Sequence, residues 1–188
     1  GNVIDPQEIM KEMGSESLRL WTSFEGDLTR QDFTCSKDKI RAEVKTLNKL
    51  LNISKFVSQF KKPSKAKLTQ LDSLFTDYIN SLVLEADKSY TEYDFHRPAV
   101  KLRHFLWEVF ASHYIEIVKN RAYNQENKFS KADSDSARYT LYYLLEKLTQ
   151  LLYPIIPQIT STIANEFSFD LNEFPKVKQG KSNLNLIE

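Results

Sequence analysis

Cysteine occurs once, at Cys35, so no intramolecular disulfide is possible and no second thiolate exists to build a zinc site. Four glycines and six prolines in 188 residues leave little material for a turn-rich β fold and favour long uninterrupted elements. No apolar run approaches the roughly 18 residues of a membrane span. No basic-then-apolar leader opens the chain. With the lone thiol, these absences give the expectation of a reducing, cytoplasmic setting and no membrane partner. Gly-rich phosphate loops and nucleophile elbows are missing, and no Ser/His/Asp set declares itself. His96, His104 and His113 are not spaced as a zinc pair on a helix, and His113 aligns with an apolar stripe as a satisfied core residue would. The sequence therefore predicts no catalytic residue, no metal and no cofactor bound by these residues.

What is present is helix. A hydrophobic fraction of 41% and a charged fraction of 27% are ordinary for one globular domain. Asp5-Pro6-Gln7-Glu8 reads as an N-cap, a proline at N1 and an acid at N3; Gly14 can close that helix and Ser15 can cap the next. Phe24–Thr34 reads as a loop. A long helix is expected over about 36–60, with Ile40, Val44, Leu47 and Leu51 as its core stripe. A second spans about 68–89. A third spans about 94–123, capped by Asp94 and carrying Phe95, Ala99, Leu102, Leu106, Val109, Phe110, His113 and Ile117 along one stripe. A fourth runs over about 134–152, with Ala137, Leu141, Leu144, Leu145, Leu148 and Leu152; Tyr153–Pro157 interrupts it and a short fifth reaches about 167. Residues 168–188 read as irregular, draped on the bundle or frayed. No segment alternates as a strand does. The expected fold class is all-α, an antiparallel helix bundle.

Charge is the feature that points outward. From Lys37 to Lys67 there are ten Lys or Arg against two acids, Asp38 and Glu43, a net +8 in a chain whose total is +1; the remainder carries −7. With Ile40 at 0°, Arg41, Lys45, Asn48, Lys49, Asn52, Lys55 and Gln59 fall between about 60° and 180°, away from the apolar stripe. Phe56 falls there too, and Phe60 lies at the margin. Cations meet phosphates and a ring can stack on an unpaired base, so this face suits single-stranded RNA. A merely solvated face, with Phe56 packed inside the bundle, is the competing reading. Arg97, Lys101, His104 and Glu108 share a second face on the third helix, where Glu108 can instead pair with His104.

Several stretches resemble one family. Gly1–Pro6 is similar to the residues that follow the KMSKS signature of class I aminoacyl-tRNA synthetases for valine, isoleucine and leucine. Gly14 with Leu18-Arg19-Leu20-Trp21 resembles their "GADALRLW", with Ser15-Glu16-Ser17 in place of Ala-Asp-Ala. Gly26-Asp27 and Phe33 resemble the connector into the bundle. Asn48 to Phe56 resembles "NKLWNASRF", with Leu51 in place of the aromatic, and Leu71–Leu74 sits where "DRWIL" is common, without the Trp. Phe105 to Arg121 is similar to "FxWxxFxxxYIExxKxR", the pattern of the valyl branch. Leu151–Thr160 resembles "LLHPFMPFIT", and Phe174-Pro175 the "WP" of the tail.

The resemblance covers about residues 1–175. It implies the end of a stem-contact region over 1–34, a helical anticodon-binding bundle over 35–167 and an irregular tail over 168–188. It also implies that tRNA(Val) is the partner, that the parent enzyme joins valine to tRNA with ATP, and that catalytic and editing domains of the same parent chain lie elsewhere. The chain itself would then be inactive. An isoleucyl or leucyl parent is the alternative, as is a helical protein-interaction module without RNA. The candidate RNA-binding residues are Arg41, Lys45, Asn48, Lys49, Asn52, Lys55, Phe56, Phe60, Lys61 and Lys62: cations for phosphates, Phe56 or Phe60 for stacking, and Asn48, Asn52 or Gln59 for base edges.

Overall fold

A computed structural model describes residues 5–27 and 34–184. No strand occurs among them, and the chain is the all-α bundle expected. Gly1–Ile4, likened above to residues that follow a KMSKS signature, and Phe33, likened to the connector, lie outside the described residues.

Capping chemistry sets most helix ends. Asp5 caps α1 (Pro6–Met13) by accepting from Gln7 N–H at 2.9 Å. Gly14, at φ 83°, turns the chain directly into α2 (Ser15–Glu25). Ser15 is therefore the first helical residue and not a side-chain cap, and the hydroxyl that serves this junction is Ser17, which donates to Met13 and Gly14 carbonyls. Helix α2 runs to Glu25, two residues into the segment read as loop. Ser36 caps α3 (Lys37–Val57) and Thr69 caps α4 (Gln70–Thr91). Asp94 accepts from His96 and Arg97 N–H at the start of α5 (His96–His104). Ser130 and Asp133 exchange side-chain and backbone hydrogen bonds to open α7 (Lys131–Leu152), one turn earlier than the apolar pattern suggests. Helix α8 (Pro157–Phe167) has no cap from its own neighbours. Glu16 of α2 supplies it, accepting from Gln158 and Ile159 N–H at 2.5 and 2.9 Å.

Between α5 and α6 (Ile115–Tyr123) the chain is a π-helical stretch, Phe105–Tyr114. The sequence shows why. Leu102, Leu106, Phe110, Tyr114, Val118 and Ala122 are all buried and recur every four residues. In an α-helix such a row would drift by about 40° per step. Wider i→i+5 winding removes the drift. Ser112 donates to the Trp107 carbonyl and His113 Nδ1 contacts that of Glu108, both five residues back. The slip in phase corrects the expected stripe. His113 is exposed and Ile117 is 54% exposed, while Tyr114 and Val118 take the core positions.

Helix α7 is the most buried element; Ala137, Leu141, Leu144, Leu145 and Leu148 are inaccessible, and α4, α6, α3 and α8 pack around it. Ile9, Trp21 and Ile40 form a small second core that joins α1 and α2 to α3. Leu20 reaches the large core, so α2 is docked on the bundle. Tail residues lie against the bundle. Phe169 is buried, Gln150 donates to the Asp170 carbonyl, and Asp77 accepts from Lys181 N–H, Ser182 N–H and the Ser182 hydroxyl.

One carboxylate organises the centre. Asp72, at the third residue of α4, is 0% exposed. Both its oxygens receive Arg121 of α6, at 2.9 and 2.6 Å. Tyr114 donates to it at 2.7 Å, Thr69 at 2.8 Å, and Ser136 of α7 also donates. Burial pushes this carboxyl up, but the hydrogen bonds from Arg121, Ser136, Tyr114 and Thr69 outweigh it and hold it below the ordinary aspartate value of 3.8. Burial, the Asp72 charge and the bond to it push the Tyr114 hydroxyl well up.

Removing the charge leaves Arg121 buried against a neutral group. We expect Asp72→Asn to lose about 3–5 kcal/mol in urea unfolding at pH 7. Because the folded-state pKa is depressed, the stabilisation is present above the unfolded value and is lost as pH falls through the folded one. The gap between wild type and variant therefore narrows below about pH 4; a gap unchanged down to pH 2 would refute this role.

Candidate nucleic-acid interface

Helix α3 is two-sided, but not along the expected line. Its buried side is Ile40, Glu43, Thr46, Leu50, Ile53 and Val57. That side is turned by about 90° from the stripe of Ile40, Val44, Leu47 and Leu51. Polar residues hid it. Glu43 receives Arg103 Nε at 3.1 and 3.2 Å, and Thr46 receives Trp107 Nε1 at 3.1 Å. With these partners both polar groups can be buried. The opposite face, with Arg41, Lys45, Asn48, Asn52, Lys55 and Gln59, is exposed throughout.

The cations on that face are not equivalent. Near its start, acids of α1, α2 and α3 itself answer them. Glu12 pairs with Arg41 at 2.9 Å and with Lys37 at 3.8 Å, Asp38 pairs with Arg41 at 3.1 Å, and Glu25 pairs with Lys39 at 3.0 Å. Lys49 sits 4.7 Å over the Trp107 ring, a cation–π contact that fixes its stem but leaves its charge. Lys45 and Lys55 have no carboxylate partner among the described residues. Lys61 is exposed beyond the helix, and Lys62 pairs with Glu146 at 3.5 Å. Since Glu43 is turned inward, the outward face from Lys45 to Lys55 carries no acid. The positive field is thus strongest along the second half of α3, a concentration set by tertiary contacts.

The aromatic candidates part ways. Phe60 is 6% exposed, edge-packed against Phe56 at 5.2 Å and Tyr123 at 5.0 Å, with the Arg138 guanidinium 5.9 Å from its ring centre. It has no free face for a base, which corrects its expected stacking role. Phe56 is half-buried against the core and keeps part of its surface. Tyr123, which the sequence reading did not single out, is 39% exposed and donates to Gln59 at 2.6 Å. An exposed tyrosine directly before the polar run Asn124–Ser130 is the signal that could have found it. The second basic face is largely spent. Arg97 pairs with Asp94, and Lys101 with Glu85 of α4.

Elsewhere, a cleft of about 440 Å³ opens between α2 and the turns at Tyr93 and Pro154, where Arg19 donates to the Ile155 and Pro154 carbonyls. Among the described residues no three His, Cys, Asp or Glu converge as metal ligands, and no helix is long and apolar enough to cross a membrane.

Exposed cations beside free amides suit RNA phosphates and base edges. Residues 72–187 match the anticodon-binding domain of tRNA ligase, and the chain belongs to that family. Its relatives include the valine–tRNA ligases of Aeropyrum pernix (34% identical over 87% of this chain and 20% of that protein) and Pyrobaculum aerophilum (35% over 88% and 21%). The valine–tRNA ligase of Nanoarchaeum equitans is 31% identical over all of this chain and 24% of that protein. The chain thus spans about a fifth to a quarter of the length of these relatives. Methionyl-tRNA synthetase from Mycobacterium tuberculosis shares the fold, with a TM-score of 0.71 at 18% identity over 93% of this chain and 36% of that one. Its complex with methionyl-adenylate gives 0.69 at 20% identity over 88% and 34%.

Packing and stacking roles are separable by stability. We expect Phe60→Ala to destabilise the chain by about 3–5 kcal/mol and Phe56→Ala by clearly less, read from urea midpoints. Equal, small losses at both positions would mean that Phe60 is not the packed ring described.

Proposed function

We propose that this chain docks the anticodon arm of a valine tRNA, as the anticodon-binding part of a valine–tRNA ligase. The observation that carries the proposal is the acid-free stretch of the outer face of α3 from Lys45 to Lys55, where Lys45, Lys49 and Lys55 stand beside Asn48 and Asn52, with Gln59 just past the helix end. The lysines neutralise phosphates and fix register, and the amides carry donors and acceptors for base edges. The valine–tRNA ligase relatives support the choice of tRNA. On this reading Arg41, held by Glu12 and Asp38, and Lys62, held by Glu146, contribute less than Lys45 and Lys55.

Binding to valine, isoleucine and leucine tRNA transcripts across a salt series tests this. We expect preference for the valine transcript and affinity falling steeply with salt. Alanine at both Lys45 and Lys55 should weaken binding to all sequences and lower the salt slope by about 2, whereas Arg41→Ala should change it less. Preference for the isoleucine or leucine transcript would reassign the parent enzyme. Unchanged affinity and slope in the double variant would remove the ridge from the interface.

In the parent enzyme, ATP-dependent joining of valine to tRNA belongs to catalytic and editing domains outside this chain. No residue described above forms a nucleotide site or a nucleophile–base pair. Valine-dependent exchange of pyrophosphate into ATP should be blank for the chain alone; a signal above background would mean that these residues hold an active site.

A further inference from the structure

Of the cations on the acid-free stretch of α3, Lys49 is held in place by the protein itself. At 100° per residue, Lys49 stands about 60° from buried Thr46, Lys45 about 100° and Lys55 about 180°. Lys49 is therefore the one nearest the neighbouring π stretch, and it is half-buried where Lys45 and Lys55 are exposed. Its ammonium lies 4.7 Å from the centre of the Trp107 ring. A ring face attracts an ammonium without neutralising it, whereas a carboxylate cancels the charge.

Trp107 is fixed from two sides. Its indole N–H donates to the Thr46 hydroxyl at 3.1 Å, one turn before Lys49 on α3. Its carbonyl accepts from the Ser112 hydroxyl at 2.8 Å inside the π stretch. One turn back, Arg103 Nε donates to both oxygens of Glu43. Positions 43, 46 and 49 of α3, three apart, thus meet Arg103 and Trp107, four apart, and each trio or pair lies on one side of its helix. Glu43 and Thr46 are both buried, so neither attachment can swing out. The plane of the indole is set by the fold, and the place of the Lys49 ammonium is set with it. A lysine is otherwise a compact charge on a flexible four-carbon stem, and ordering such a stem on binding costs affinity.

We infer that Trp107 is a positioning residue for RNA binding: it presets Lys49 as the one fixed phosphate contact of the ridge. Lys45 and Lys55 supply positive field without a fixed place, and Lys49 sets the register in which Asn48 and Asn52 meet the bases. This rests on the anticodon-arm reading and adds to it a residue that acts only through Lys49.

The test is a double-mutant cycle between Trp107 and Lys49, read as affinity for the valine tRNA transcript across a salt series, with urea midpoints measured alongside. Lys49→Met removes the charge, so affinity should fall and the salt slope should drop by about 1. Trp107→Leu removes the ring and leaves the charge. Affinity should then fall about 2- to 12-fold, the equivalent of ordering one long side chain, with the slope unchanged. In the Lys49→Met background, Trp107→Leu should change affinity no further. Trp107→Phe keeps a ring but loses the N–H, and its affinity should lie between those of wild type and Trp107→Leu. Where Trp107→Leu lowers the urea midpoint so far that the chain is not folded, the same cycle run with Trp107→Phe decides the question. Equal losses with and without Lys49 would mean that Trp107 only supports the fold, which would overturn the inference and leave the ridge standing. Wild-type affinity in Trp107→Leu would overturn it as well. A wild-type chain that binds none of the valine, isoleucine and leucine transcripts would overturn the anticodon-arm reading, and the positioning role with it.

Discussion

The bundle depends on one buried carboxylate. Asp72 brings α4, the π stretch, α6 and α7 to a common point through Thr69, Tyr114, Arg121 and Ser136. A charge at zero exposure is tolerable only with its hydrogen-bonding capacity filled, and here it accepts from a guanidinium and three hydroxyls. Leucine-rich helices can slide past one another by a turn at little loss of apolar burial, whereas a carboxylate with five directed donors has one register. Apolar packing thus supplies much of the stability, and the Asp72 cluster selects the arrangement. The π stretch belongs to the same constraint, since it aims Tyr114 inward at Asp72 while keeping Leu102, Leu106 and Phe110 on the core side.

The same logic shapes α3 at the edge of the bundle. Its inner face is fastened by Glu43 to Arg103 and by Thr46 to Trp107. These contacts rotate the helix so that its lysines stand away from the protein. They also take the one acid in the middle of the basic segment out of the surface field. A substitution at Glu43 would therefore act twice, by leaving Arg103 unpaired and by letting the ridge turn. The acids of α1 and α2 do the reverse at the helix start, where they mute Arg41 and Lys39.

Local rules were readable from the sequence because their partners lie within four residues. Asp5, Asp94 and the strongly periodic α7 needed no tertiary knowledge. The all-α class and the basic helix followed from the same signals. What stayed hidden needed partners far along the chain. Asp72 meets Arg121 across 49 residues, Glu43 meets Arg103 across 60, and Glu16 caps α8 across 142. A pattern reader scores each of these acids as surface, and so misplaces the stripe on α3. The i+4 repeat from Leu102 to Ala122 was present in the sequence, but a fixed 3.6-residue period assigns His113 and Ile117 inward in place of Tyr114 and Val118. Phe60 shows the limit for the site: an aromatic at the margin of a polar face looks available until its neighbours Phe56 and Tyr123 are known.

The fold match to methionyl-tRNA synthetase at 18–20% identity separates frame from choice. A bundle that persists at that divergence does not by itself fix function, which lives in the side chains the frame presents. On the proposed reading, selection of a tRNA rests on side chains that the frame presents but does not need. Asp72, Arg121, Glu43 and Trp107 do not qualify, because they are consumed in holding helices together. Lys45, Asn48, Asn52 and Lys55 do qualify, since none is buried and none pairs with a carboxylate among the described residues. On that reading, specificity changes by substitution along the outer face of α3 without disturbing the buried cluster that fixes the fold.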